Sequence, residues 1–232
     1  DDIVAIDLAC QVARSEHATV HALTVVPRGW ETAVAGDTDR DFQQWAAEEG
    51  TASAAEALEV LGRHTDIEST ATWVAGRSVP QAVCDQAEVL GASLIVVGSG
   101  ENGPRGYVTV TSKTDRMLHS AAVPVAIAPR GYRPAGGSRI TRVTMGFRDD
   151  DASWTLLDLV SGICERIGAR LRLVTFAVRP RRMVVSAMRA DEADVFDQWK
   201  GQARTGLDDA LAHLRDQGLV DVEGFVAEGR SW

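Results

Sequence analysis

Residues 93–130 decide the fold, and their sequence is SLIVVGSGENGPRGYVTVTSKTDRMLHSAAVPVAIAPR. They begin with an apolar run, residues 94–97, that stops at Gly98 and Ser99. An uninterrupted apolar run that ends at a glycine is typical of a parallel β-strand buried on both faces of a sheet. A glycine-rich loop follows this predicted strand.

A short helix and a second buried strand complete the stretch. Ser112 stands three residues before Asp115 and just ahead of apolar residues, a pattern that marks the start of a helix. Pro124 ends this helix, and residues 123–128 form another apolar run. The order of strand, glycine-rich loop, helix N-terminus and strand gathers backbone N–H groups beside one crevice, which is how α/β folds bind phosphate.

The same residues resemble the closing segment of the universal stress protein family. The resemblance covers the strand that ends at Gly98, the loop, the helix from Ser112 and the Val-Pro-Val strand at residues 123–125. Members of that family that bind ATP carry the motif G-x2-G-x9-G-[ST]. Gly98 and Ser112 match its first and last positions, whereas Glu101 and Thr111 replace its two middle glycines. The resemblance therefore implies a nucleotide-binding fold, and the two departures predict weak or lost ATP binding.

The candidate nucleotide site is drawn from the loop and the helix start. Backbone N–H groups at the strand end would cradle a phosphate, or the glycines would only give the chain a tight exit from the sheet. The hydroxyl groups at the helix start would bind phosphate, or they would cap the helix, which contributes about 1 kcal/mol. The family implies ATP or AMP as the ligand, and the candidate residues are Gly98, Ser99, Gly100, Gly103, Thr111 and Ser112.

An internal repeat predicts two similar units. The sequence WVAGRS at residues 73–78 returns as VAEGRS at residues 226–231, and FQQW at residues 42–45 returns as FDQW at residues 196–199. The matches keep their order and a nearly constant spacing along the chain. We therefore expect a tandem arrangement, as in tandem universal stress proteins.

We expect the first domain at residues 1–130, a Gly/Pro-rich linker at residues 131–139 and the second domain at residues 140–232. Alternating strands and helices predict an open parallel sheet with helices on both faces, a Rossmann-like fold that resembles the adenine-nucleotide α-hydrolases. The second domain opens with a strand that has no counterpart in the first, and it has no match to residues 79–130. The first domain is therefore expected to lack its first strand, and the second its final helices and strands.

Composition and charge argue against several classes of protein. The 232 residues carry a formal net charge of −9, unlike the basic surface that nucleic-acid binding needs. No apolar run approaches the ~20 residues of a membrane span. The three cysteines show no C-x-x-C spacing, and as small buried apolar residues they fit a reduced cytoplasm. The five histidines have no ligand spacing, so no metal site is predicted.

The sequence contains no nucleophile elbow, Walker A loop, zinc-protease motif or full dinucleotide fingerprint, so no catalytic residues are assigned. We predict a non-enzymatic binding or regulatory protein of the stress response, in the cytoplasm, with nucleotide binding weak or lost in the first domain. The alternative is an ATP- or AMP-binding stress protein with slow ATPase activity. A third hypothesis is a nucleotidyl-transfer enzyme, although its H-x-G-H-type motif is missing. Self-association is expected through the strand at residues 123–128, since an unpaired edge recruits another strand.

Overall fold

The structure is a computed structural model that describes residues 2–29, 37–179, 189–219 and 221–230. Contacts within the chain divide it into two compact units, Asp1–Arg139 and Ile140–Trp232. Ser231, the last residue of the repeated VAEGRS sequence, lies outside the described residues.

Strands and helices alternate along the described part of the first unit. Its elements are α1 (Asp2–Glu16), β1 (Val20–Pro27), α2 (Asp37–Leu61), β2 (Ser69–Gly76), α3 (Val79–Leu90), β3 (Ile95–Gly98), α4 (Ser112–Ser120) and β4 (Val125–Ala128). The strand predicted over residues 123–128 starts only after Pro124, because proline has no N–H to donate to a ladder.

The strands of the first unit form two parallel pairs. β1 pairs with β2 from Val20 opposite Ser69, and β3 pairs with β4 from Ile95 opposite Val125. Backbone hydrogen bonds do not join the two pairs within the described residues, so the expected single sheet is divided there. Helix α1 contacts strands of both pairs. Within the described residues, α1 therefore links the two pairs.

The second unit has one continuous parallel sheet in the order β5-β6-β7. Its elements are β5 (Arg142–Gly146), α5 (Asp151–Ile167), β6 (Arg170–Arg179), α6 (Arg189–Asp216) and β7 (Val222–Arg230). Leu171 and Leu173 of β6 meet Leu157 of α5 and Leu207 and Leu214 of α6 in one core, and all five are fully buried. The predicted α/β class with parallel strands is confirmed in both units.

Helix ends follow the local sequence. Gly91 and Gly168 close α3 and α5 with φ angles of 62° and 67°, values at which glycine carries no Cβ penalty. His17 follows α1 at a φ of 56° and is the one described non-glycine residue with a positive φ. A side chain in this conformation is strained.

Candidate functional site

Ser99 closes the glycine-rich loop at the carboxyl end of β3. Its backbone N–H donates to the carbonyl of Ala128 at 3.0 Å and so extends the β3–β4 ladder by one residue. Its Oγ accepts a hydrogen bond from the N–H of Thr109 at 2.7 Å. The N–H of Gly100 donates to the carbonyl of Thr109 at 2.9 Å. The N–H groups of Ser99 and Gly100, two of the candidate nucleotide-binding residues, are therefore bonded to oxygens of the protein itself.

The glycines of the loop leave room for threonine side chains. A Cβ on Gly100 would lie 3.0 Å from Cγ2 of Thr111, and a Cβ on Gly103 would overlap Oγ1 of Thr109. The guanidinium of Arg130 donates to the carbonyl of Gly103 at 2.5 Å. Threonine side chains of the loop occupy the space that a Cβ would need at these glycines. The glycines therefore allow the loop to pack against itself.

Thr111 is the N-cap of α4, and Ser112 is the first helical residue. Thr111 has an extended backbone, and its Oγ1 accepts from the N–H of Thr114 at 3.2 Å. The spacing of Ser112 and Asp115 placed the helix start correctly, but the capping side chain stands one residue earlier. Of Thr111 and Ser112, the two residues that the sequence offered as helix caps, Thr111 is therefore the one that caps α4.

The structure brings the sequence-predicted residues to one end of the β3–β4 pair. Gly98 ends β3 opposite Ala128, Ser99 and Gly100 follow it, and the side chain of Thr111 lies beside Gly100. This arrangement does not test whether these residues contact a ligand. Their role in binding a nucleotide remains a prediction.

A cleft of about 680 Å³ lies in the second unit, between the end of β5, Thr175 and Phe176 of β6, and α6. Ligands of open α/β sheets bind at the carboxyl ends of parallel strands, and sites for small molecules commonly have volumes of ~300–1,000 Å³. The side chains of Phe176 and Trp199 are 65% and 50% exposed there, a large apolar area to leave in water. Residues on the cleft wall include Phe147, Asp149, Thr175, Phe176, Trp199 and Gln202.

Asp149 is held in place at the wall of this cleft. Its Oδ1 accepts a hydrogen bond from the indole Nε1 of Trp154 at 2.9 Å. The Trp154 ring meets the ring of Phe147 edge to face, with centroids 5.4 Å apart. On the other side, a Cβ on Gly206 would lie 2.9 Å from Cβ of Asp149, so α6 approaches Asp149 closely only because residue 206 is glycine. The cleft thus combines aromatic faces with a positioned carboxylate.

The neighbouring Asp150 serves the helix instead. It is the N-cap of α5, and its Oδ1 accepts from the N–H of Ser153 at 2.8 Å. Hydrogen bonds from the Ser153 backbone and from the Arg148 guanidinium lower the pKa of Asp150. The acidic run at residues 149–151 is therefore divided between the cleft and the start of α5.

Sequence reasoning did not find this cleft. The sequence favours placing Phe147 in the strand that opens the second domain, and the repeat identifies Trp199 only as the counterpart of Trp45. The three aromatic residues come from three different elements, and no spacing along the chain links them. The aromatic residue directly after β5, Phe147, was the one available signal.

Within residues 2–29, 37–179, 189–219 and 221–230, no helix combines the length and apolar character that a membrane crossing requires. The same residues contain no group of three or more His, Cys, Asp or Glu side chains that could hold a metal ion.

Comparison with known proteins identifies the family. A model of the universal stress protein family matches residues 2–129. Curated universal stress proteins of Mycobacterium bovis and Mycobacterium tuberculosis are each 36% identical to this chain over 98% of its length and 78% of theirs.

A solved structure supports the fold. The crystal structure of a universal stress protein from Archaeoglobus fulgidus superimposes with a TM-score of 0.60, at 15% identity, over 98% of this chain and 73% of the other. At this identity the likeness concerns the fold alone. The family match and the mycobacterial relatives confirm the predicted resemblance: the chain belongs to the universal stress protein family.

Proposed function

We propose that this universal stress protein is a cytoplasmic, non-enzymatic regulatory protein of the stress response whose first unit does not bind nucleotide tightly. One observation carries the proposal: the N–H groups of Ser99 and Gly100 already donate to Ala128 and Thr109. The family supports the role in stress response. Three buried free cysteines among the described residues agree with a reducing compartment.

A phosphate at this loop would have to displace bonds that the loop makes to itself. Each intramolecular hydrogen bond contributes about 1 kcal/mol net. Breaking the three bonds between Ser99, Gly100, Thr109 and Ala128 would thus weaken phosphate binding about 100-fold. Glu101, at a position where ATP-binding members carry glycine, adds a carboxylate that repels the phosphate. Both effects favour a closed loop over a phosphate cradle.

Calorimetric titration of the full chain with Mg-ATP tests this proposal. We expect that Ser112→Ala leaves any nucleotide affinity unchanged, because no nucleotide contacts the start of α4. Ser112 is the first residue of α4 and not its cap, so this substitution spares the helix. A saturable affinity that falls tenfold or more in Ser112→Ala, with an unchanged melting temperature, would contradict the proposal. Pyrophosphate or phosphate release under the same conditions would contradict the non-enzymatic assignment.

A second candidate function, adenine-nucleotide binding in the second unit, is favoured by the cleft beside Asp149. Phe176 and Trp199 offer aromatic faces on which a base can stack, and such stacking is worth ~1–3 kcal/mol per base. Asp149 and Thr175 supply polar groups that can orient a ligand. The ligand would be ATP or AMP, as the family implies.

The repeat provides a matched control for this second function. Trp199 and its repeat counterpart Trp45 are 50% and 47% exposed. If AMP binds the cleft, Trp199→Ala should weaken AMP binding about fivefold or more in the full chain, whereas Trp45→Ala should leave it unchanged. Equal affinities in both variants would exclude the cleft as the site. This experiment is separate from the test of Ser112, so the two functions can fail independently.

Self-association through β4 is part of the proposal. In the described residues β4 pairs only with β3, which leaves its other edge without a strand partner. Ala126→Lys places a charge on this short strand, and charges on edge strands oppose pairing. We expect sedimentation velocity to show a dimer for the wild type and a monomer for Ala126→Lys, with Ala52→Lys on the exposed side of α2 as the control. A wild-type monomer at micromolar concentration would contradict this assignment.

A further inference from the structure

Residues 131–139, the Gly/Pro-rich segment between the repeats, lie along α1 in the first unit. We call this segment the strap. Gly131 and Gly137 adopt φ angles of 71° and 69°, which turn the chain at both ends of the segment. The N–H of Tyr132 donates to the carbonyl of Pro129, and the N–H of Ser138 donates to the carbonyl of Ala135, each at 3.0 Å. The strap therefore follows a defined, bent path and is not an extended spacer.

Gln11 of α1 binds both ends of the strap. Its Oε1 accepts a hydrogen bond from the hydroxyl of Tyr132. Its Nε2 donates to Oγ of Ser138 at 3.1 Å. One amide side chain thus joins two residues of the strap that are six positions apart, and it can do so only while the strap keeps its bent path.

Asp7 and Arg14 flank Gln11 on the same face of α1, since residues four and three positions apart share a helix face. The Asp7 carboxylate pairs with the guanidinium of Arg133 at 3.2 Å. Arg14 donates to the carbonyl of Ser138 at 3.1 Å. Three side chains of α1 in a row therefore contact the strap.

The side chains that contact the strap are themselves held from the other side. Arg14 is 9% exposed, and its guanidinium donates twice to Asp66, at 2.5 Å and 2.9 Å. Asp7 lies 3.5 Å from Nε2 of His64. Because Asp66 and His64 fix these side chains, the contact face of α1 is built into the first unit and does not depend on the strap.

We infer that the strap docks reversibly on α1 and so sets how much of the chain between the two units is flexible. While α1 holds the strap, the first unit extends to Arg139, directly before the second unit at Ile140. When the strap detaches, residues 131–139 become a connection that can span up to about 30 Å. The bonds that hold it are polar and partly exposed, so each contributes little net stability and release requires no unfolding of a core.

Trypsin cleavage of the full-length protein tests the inference at the Arg139–Ile140 bond. Removing one hydrogen bond in Tyr132→Phe should speed cleavage about fivefold. Gln11→Ala removes three, to Tyr132, Ser138 and Arg139, and should speed it further. Tyr107→Phe is the matched control, because it removes the hydroxyl of the chain's other tyrosine, which is 66% exposed on a different loop. Circular dichroism melting should show that all variants remain folded.

Two results would overturn the inference. The first is a wild-type Arg139–Ile140 bond that is cleaved as fast as the same sequence in an unstructured peptide. The second is cleavage of Tyr132→Phe and Gln11→Ala at the rate of Tyr107→Phe.

Discussion

The hydroxyl of Thr109 fills the space that a Cβ on Gly103 would occupy. The loop after β3 is closed by this contact together with the backbone bonds of Ser99 and Gly100. In Gly103→Ala, the new methyl must push Thr109 away, and overpacking of this kind typically costs about 1–3 kcal/mol. We expect a lower melting temperature. Gly136→Ala is the control, because a Cβ there meets nothing within 4 Å; equal melting temperatures for the two variants would refute the account of the closed loop.

Two helical glycines should respond to alanine with opposite signs. Gly50 in α2 lies against the indole of Trp73, and a Cβ there would sit 2.5 Å from a ring carbon. Gly162 in α5 has no heavy atom within 4 Å of its Cβ position. Alanine favours a helix over glycine by about 1 kcal/mol, so Gly162→Ala should raise the free energy of unfolding. Gly50→Ala should lower it, because the ring must move. Denaturant titration measures both, and a gain in Gly50→Ala would show that Trp73 can shift freely.

Replacing His17 with glycine should stabilise the first unit. His17 is exposed and adopts a φ of 56° after α1. The left-handed conformation costs a residue with a Cβ about 1–2 kcal/mol, part of which glycine regains. We expect His17→Gly to raise the melting temperature by a few degrees and His17→Ala to leave it nearly unchanged. An equal rise in both variants would point to the imidazole, and not the backbone, as the source of the strain.

The ion pair of Arg14 and Asp66 should make acid stability depend on Asp66. The hydrogen bond from Arg14 lowers the pKa of Asp66 from 3.8 to about 2. A carboxylate with a lowered pKa adds stability that is complete above its unfolded pKa and disappears as the pH falls through the folded value. The difference in free energy of unfolding between the wild type and Asp66→Asn should therefore be constant above pH 5 and shrink between about pH 4 and pH 2. A difference that does not change over this range would mean that the pair does not form in solution.

Much of the fold was predictable because it depends on local patterns. The apolar run before Gly98 and the helix from Ser112 appear where the sequence predicted them. The repeat of Trp45 as Trp199 indicated that the same elements occur twice. A single sequence is enough to recognise these signals, because strand burial and helix capping involve residues only a few positions apart.

The remaining features depend on contacts between distant residues. The bond between Ser99 and Thr109 turns a predicted phosphate loop into a closed loop, and no motif records which N–H groups are already paired. Likewise, Gln11 lies more than 100 positions from Tyr132 along the chain, so the sequence did not reveal their hydrogen bond. The composition of residues 131–139 predicted only a linker. The cleft beside Asp149 required three elements to converge. Tertiary placement, and not local propensity, decided each of these cases.

Helix α1 joins two parts of the first unit that are far apart along the chain. It packs against strands of both the β1–β2 and the β3–β4 pair. Through Gln11, the same helix binds Tyr132 and Ser138 of the strap. A shift of α1 against the strands would therefore change the hydrogen bonds of Gln11, so that packing in the interior of this unit and the hold on the chain leading out of it are coupled in one helix.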